Sequence, residues 1–182
     1  MKKLLIAMVL GVSTVLTAQT PAPTPPTDPL APLDFLLGTW SATTSAAGSS
    51  GGQAAGTYTF KRDLDGHVLQ RISVAAACTG PQDFNCKHRD ELTIFPDANA
   101  QAIHHVSMLA LFLDNEGHVI YYTVTTPDAN TVIFNSQSPA SAPKFRLSYH
   151  RDGNKMNGKF EMAAPGSDEF HSYLEWSGMK IN

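Results

Sequence analysis

Past residue 38 the apolar positions recur at every second residue, the period of a half-buried strand rather than a helix. Thr57-Tyr58-Thr59-Phe60 alternates small polar with aromatic side chains. Val68 to Val74 alternates too, with Val68, Gln70, Ile72 and Val74 on one face and Leu69, Arg71 and Ser73 on the other. Further strands are predicted over Thr39–Ala46, Glu91–Phe95, Ile103–Leu113, Val119–Thr126, Thr131–Asn135, Lys144–His150, Met156–Met162 and Phe170–Trp176. Turn chemistry separates them. Asp63-Leu64-Asp65-Gly66, Asp114-Asn115-Glu116-Gly117, Asp152-Gly153-Asn154 and Pro165-Gly166-Ser167-Asp168 combine Asx side chains with glycine. The tetrapeptide Pro-Asp-Ala-Asn occurs at both 96–99 and 127–130, each time between strand-like runs.

One stretch breaks this rhythm. Leu33-Asp34-Phe35-Leu36-Leu37 crowds large apolar residues together, Gly38 lets the chain bend, and Trp40 begins the first strand. It reads as a helical turn that plugs one end of a sheet. About ten strands with short connections favour a meander, and a meander of this size removes its edges by closing. The predicted fold is an all-β, closed up-and-down antiparallel barrel with a short N-terminal helical plug; a β-sandwich is the alternative.

Three segments follow. Residues 1–18 read as a signal peptide, with Lys2 and Lys3 before an apolar core from Leu4 to Leu16 that is short for a spanning helix. Residues 19–32 hold half of the twelve prolines and read as a spacer. Residues 33–182 form the barrel domain, a length that suits a single domain. Export to the periplasm or beyond implies an oxidising compartment, where Cys78 and Cys86 pair as a disulfide. The formal charge of −3 becomes more negative once Lys2 and Lys3 are removed. With no basic block, this excludes nucleic acid as an expected partner. No later stretch is apolar enough to enter a membrane, so none is expected to insert after cleavage.

Catalytic patterns are missing from this reading. Carboxylates sit in turns rather than in pairs on strands, and no Ser-His-Asp order stands out. His67 and His118 occupy like positions in Asp-Gly-His-Val and Glu-Gly-His-Val. A meander puts their turns at opposite ends, so no metal site is expected from them. His104 and His105 are adjacent on a strand and face opposite sides, leaving His105 as the inward one. Tyr58, Phe60, Ile72, His105, Tyr121, Phe134, Leu147, Tyr149 and Met162 fall on candidate inward positions, with Phe145, Phe160 and Leu174. Such a lining suits a small lipophilic ligand, although the same side chains could simply fill the barrel.

Gly38-Thr39-Trp40 resembles the Gly-x-Trp that opens calycin-type barrels: lipocalins, fatty-acid-binding proteins and nitrobindin-like haem barrels. The longer Leu-x-Phe-Leu-x-Gly-x-Trp form is similar to that of uncharacterised bacterial secreted proteins of the same supposed architecture. The resemblance spans Leu33 to Lys180. It implies that Trp40 packs at the closed end beneath Lys180, a cation–π contact. It implies a non-catalytic carrier of a hydrophobic or amphipathic molecule that needs no cofactor. The nitrobindin-like alternative implies haem, with His171 as the axial ligand, and nitric oxide or peroxynitrite chemistry. His171 is out of phase with Phe170, Leu174 and Trp176, so it faces solvent if those three face inward.

Overall fold

A computed structural model of the chain describes residues 28–45, 48–82, 84–98 and 107–181. Residues 1–18, most of the Pro-rich spacer and His105 lie outside these. Among the described residues there are ten strands: β1 (Gly38–Thr44), β2 (Gln53–Asp63), β3 (Val68–Thr79), β4 (Asp90–Pro96), β5 (Met108–Asp114), β6 (Val119–Asp128), β7 (Thr131–Ser136), β8 (Lys144–Asp152), β9 (Lys155–Ala163) and β10 (His171–Met179). Every strand pairs antiparallel with its predecessor, and β10 returns to β1, so the barrel is closed. The closing seam is short. Thr43 pairs with Ser177 and Thr44 with Trp176. The Ser41 hydroxyl then accepts from the Met179 amide at 2.8 Å, and the Ile181 amide donates to the Thr39 carbonyl at 2.7 Å.

One end is filled. Ala31–Leu36 forms a 3-10 turn. Leu30, Leu33 and Leu36 are buried there with Trp40, Phe60, Leu69, Ile94, Val132 and Met156. Gly38 has φ 114°, a conformation that accepts glycine readily, and this bend carries the chain from the turn into β1. Trp40 is fully buried and its indole Nε1 donates to the Leu36 carbonyl at 2.7 Å, which fastens turn to strand. The Lys180 ammonium lies 5.5 Å from the Trp40 ring. Outside, Arg62 of β2 pairs with Asp34 at 2.6 Å and with Asp28 at 2.9 Å, holding the turn against the barrel wall.

The turns follow their chemistry. Asp63 accepts from the Leu64 amide, and Leu64, Asp65 and Gly66 all take positive φ. Asp128 accepts from the Asn130 amide in the second Pro-Asp-Ala-Asn turn; Asn99 of the first copy is outside the described residues. The β2–β3 turn, and His67 with it, lies at the filled end, while His118 lies in the β5–β6 turn at the opposite end. A register shift between Ser172 and Leu174 puts a bulge in β10.

Candidate functional site

Above the filled end the barrel is hollow. The cavity measures about 750 Å³ and opens between the disulfide loop, the β5–β6 turn and the first half of β10. Cys78 and Cys86, 5.4 Å apart at Cα, staple the loop that carries Phe84 and Asn85 over the rim. Phe112, Phe145, Leu147, Phe160, Met162, Leu174 and Trp176 supply most of the apolar wall.

Beneath the cavity lies a cluster of aromatic rings centred on Tyr149. Its ring stands 5.3 Å from Phe60, 5.7 Å from Tyr58, 5.7 Å from Trp176 and 6.3 Å from Phe134. Most of these contacts are tilted or edge-to-face, the arrangement ring quadrupoles favour. The predicted residues therefore divide. Tyr58, Leu147 and Met162 touch the cavity, whereas Phe60, Phe134 and Tyr149 pack below it.

Two predicted residues point the other way. Ile72 is 37% exposed and Tyr121 is 59% exposed, both on the outer wall. Their neighbours Arg71 and Tyr122 face inward instead. The phase of β6 was readable, because Val124 is apolar and in step with Tyr122, while Thr123 and Thr125 are in step with Tyr121. In β3 the pattern misleads, since the inward face carries an arginine and a serine and the outward face carries Ile72 and Val74.

His171 and Phe170 also lie outside the cavity. The His171 side chain is 72% exposed beside Glu169, and the Phe170 ring packs beneath the Arg146 guanidinium at 4.1 Å. The bulge after Ser172 is the reason for Phe170, because it takes Phe170 out of step with the inward Leu174 and Trp176; His171 pairs with Met162 at the first position of β10, where its side chain reaches solvent at the rim.

Sequence reasoning missed a polar chain running along one wall. Arg71 is 5% exposed; its Nη1 donates to the Tyr149 hydroxyl and its Nη2 to Asp90 Oδ1. Asp90 Oδ2 meets His88 Nε2 at 3.2 Å, and His88 Nδ1 meets Glu116 at 2.7 Å. Charges alternate along it. Burial opposes ionisation of both Arg71 and Asp90, but each offsets this for the other, so Arg71 stays above its ordinary range and Asp90 below it. The hydrogen bond to Asp90, assisted by Glu116, lifts His88 to about 9, and His88 is therefore an imidazolium at neutral pH. Burial drives the Tyr58, Tyr122 and Tyr149 phenols well above their ordinary range.

Three buried polar atoms remain without a hydrogen-bond partner among the described residues: Tyr58 Oη, Tyr122 Oη and Arg71 Nε. The Tyr58 hydroxyl faces the Trp176 indole without a bonding geometry. At the rim, His88, Asp114 and Glu116 bring ligand-type atoms within 4.8 Å of one another. These groups already have partners, since Asp114 accepts from the His118 ring at 2.7 Å and from two backbone amides, and His88 bonds Asp90 and Glu116.

No protein-family model matches the chain, and no curated protein matches it. Several solved structures are similar at low identity. Fatty-acid-binding protein 1 of Echinococcus granulosus is 8% identical with a TM-score of 0.47, the match covering 82% of this chain and 99% of that one. The Schistosoma mansoni fatty acid binding protein in complex with arachidonic acid is 10% identical with a TM-score of 0.45, over 81% and 97%. A redesigned β-barrel, mFAP1, bound to DFHBI, is 14% identical with a TM-score of 0.36, over 81% and 96%. The chain's own strand pairing defines its architecture, a closed ten-stranded antiparallel up-and-down β-barrel.

Proposed function

We propose that this chain is an exported, non-catalytic carrier that holds a small hydrophobic or amphipathic molecule inside the barrel. The cavity supports this reading most directly. Its volume of about 750 Å³ lies within the range of small-molecule sites, and its wall is mostly aromatic and aliphatic with a few fixed polar groups. The titratable groups around it are engaged with one another. Arg71 is tied to Asp90, His88 to Asp90 and Glu116, and Asp114 to His118. That arrangement commits the charged side chains of the wall to one another, which supports a holding role. The Cys78–Cys86 disulfide and the apolar run at Leu4–Leu16 favour a periplasmic or secreted location.

The test is titration with N-phenyl-1-naphthylamine, a neutral dye that fluoresces in apolar surroundings. Trp176 lines the cavity and should transfer energy to bound dye. Saturable one-to-one binding is expected, and Met162→Trp, which adds bulk at the cavity wall, should weaken it. Absence of saturable binding by the folded chain, or binding indifferent to Met162→Trp, would refute the carrier reading.

A further inference from the structure

Among the described residues, the interior carries hydrogen-bonding capacity without spare charge. Arg71 spends its charge on Asp90, and the next cation, His88, is bracketed by Asp90 and Glu116. What stays unspent is two phenol hydroxyls and one guanidinium N–H, all buried on residues that line the cavity. Both tyrosines lie close enough to Arg71 to feel its charge, so the three groups share one region of the wall.

Each of these atoms has under 1 Å² of accessible surface, so a ligand's polar end reaches them by displacing the side chains that cover them, and there it meets donors. Burial keeps both phenols protonated, so each offers an O–H, and Arg71 Nε can only donate. An anion gains less than this donor set suggests, because Asp90 already occupies the arginine and a second carboxylate would be repelled by it. Bringing that anion out of water carries a large cost that the site does not offset with an unpaired cation. A neutral acceptor costs little to desolvate and satisfies groups that otherwise lie buried and unpaired. We infer that the carried molecule presents an uncharged hydrogen-bond acceptor, such as a ketone, ester or amide carbonyl, to Tyr58, Tyr122 and Arg71 Nε, and that the cavity discriminates against fatty carboxylates. This inference rests on the carrier reading and names the ligand class for the same cavity.

A matched series tests it: laurate, methyl laurate, lauramide and 2-tridecanone, each displacing N-phenyl-1-naphthylamine at pH 8, where laurate is ionised. The amide, ester and ketone are expected to bind about tenfold more tightly than laurate. Tyr58→Phe and Tyr122→Phe keep the ring packing and remove only the hydroxyl. Each should weaken the carbonyl ligands about fivefold more than it weakens laurate or the dye. Asp90→Asn frees the arginine's charge and should move the preference toward laurate by about tenfold or more. Laurate bound as tightly as lauramide by the unaltered chain overturns the inference while leaving a carrier in place. So does lauramide affinity that neither tyrosine variant changes, a result independent of whether Asp90→Asn folds. Failure of the dye itself to bind removes the carrier reading and this inference with it.

Discussion

Arg71 and Asp90 form a buried ion pair in a wall that is otherwise mostly apolar, and removing one partner should cost far more than replacing both. The Arg71 side chain is 6% exposed and the Asp90 side chain 13%. Asp90→Leu leaves a buried guanidinium with only the Tyr149 hydroxyl as partner and strips His88 of one of its two bonds. Arg71→Met leaves a buried carboxylate with only His88 and the Ser73 hydroxyl as partners. Each single change is expected to cost about 3–5 kcal/mol. For a chain of this size that lowers the melting temperature by roughly 6–20 °C. The double variant Arg71→Met/Asp90→Leu strands no charge in the wall. Its residual cost is about 1–3 kcal/mol, mainly from the buried Tyr149 hydroxyl left without its donor. Urea unfolding of the four proteins, with slopes checked for constancy, gives the coupling energy directly. A double variant that loses the sum of the two single losses would show that the pair is not coupled, and the account of the polar wall would be wrong.

Other expectations bear on neighbouring features. His88 titrates at about 9 in the folded chain against about 6.5 unfolded, so its stabilisation is complete below pH 6.5 and is lost as pH rises through 9. Because the ring is 38% exposed, solvent screening reduces this to about 1 kcal/mol, and His88→Ala should flatten the stability profile between pH 6.5 and 9. A Cβ at Gly158 would overlap the Trp176 indole. Gly158→Ala should therefore cost about 1–3 kcal/mol and shift the Trp emission spectrum, and an unchanged spectrum would remove the claim that the indole rests on that glycine. Cys78→Ser/Cys86→Ser opens a loop with a sequence separation of 8 and should cost about 2–3 kcal/mol in chemical unfolding. The same variant should weaken dye binding, because the stapled loop forms part of the cavity rim.

The inward faces were legible wherever hydrophobicity and alternation agree. On β7 and β8, Val132, Phe134, Leu147 and Tyr149 all lie on the buried face, as a period of two requires. Legibility failed in two places for two physical reasons. On β3 the apolar side chains Ile72 and Val74 lie outside while Arg71 lies inside. The reason is that a buried arginine needs a carboxylate, and Asp90 comes from a neighbouring strand whose register no local pattern reveals. On β10 a bulge resets the phase between Ser172 and Leu174, so Phe170 falls out of step with the inward Leu174 and Trp176 and lies outside the cavity.

The period of two, the Asx and glycine turns, the spacing of Cys78 and Cys86, and the Gly38–Trp40 bend are local properties, written in neighbouring residues. They determined a meander of ten strands and the covalent loop at its rim. Closure, the hollow and the polar chain from Arg71 to Glu116 are not local. Each depends on residues that meet only after the chain has circled back, Thr43 with Ser177 and Arg71 with Tyr149 among them. Tertiary structure alone decided that Arg71 faces inward on β3 and which hydroxyls remain without partners, since a side chain's neighbours across a barrel are set by registers summed around the whole circuit.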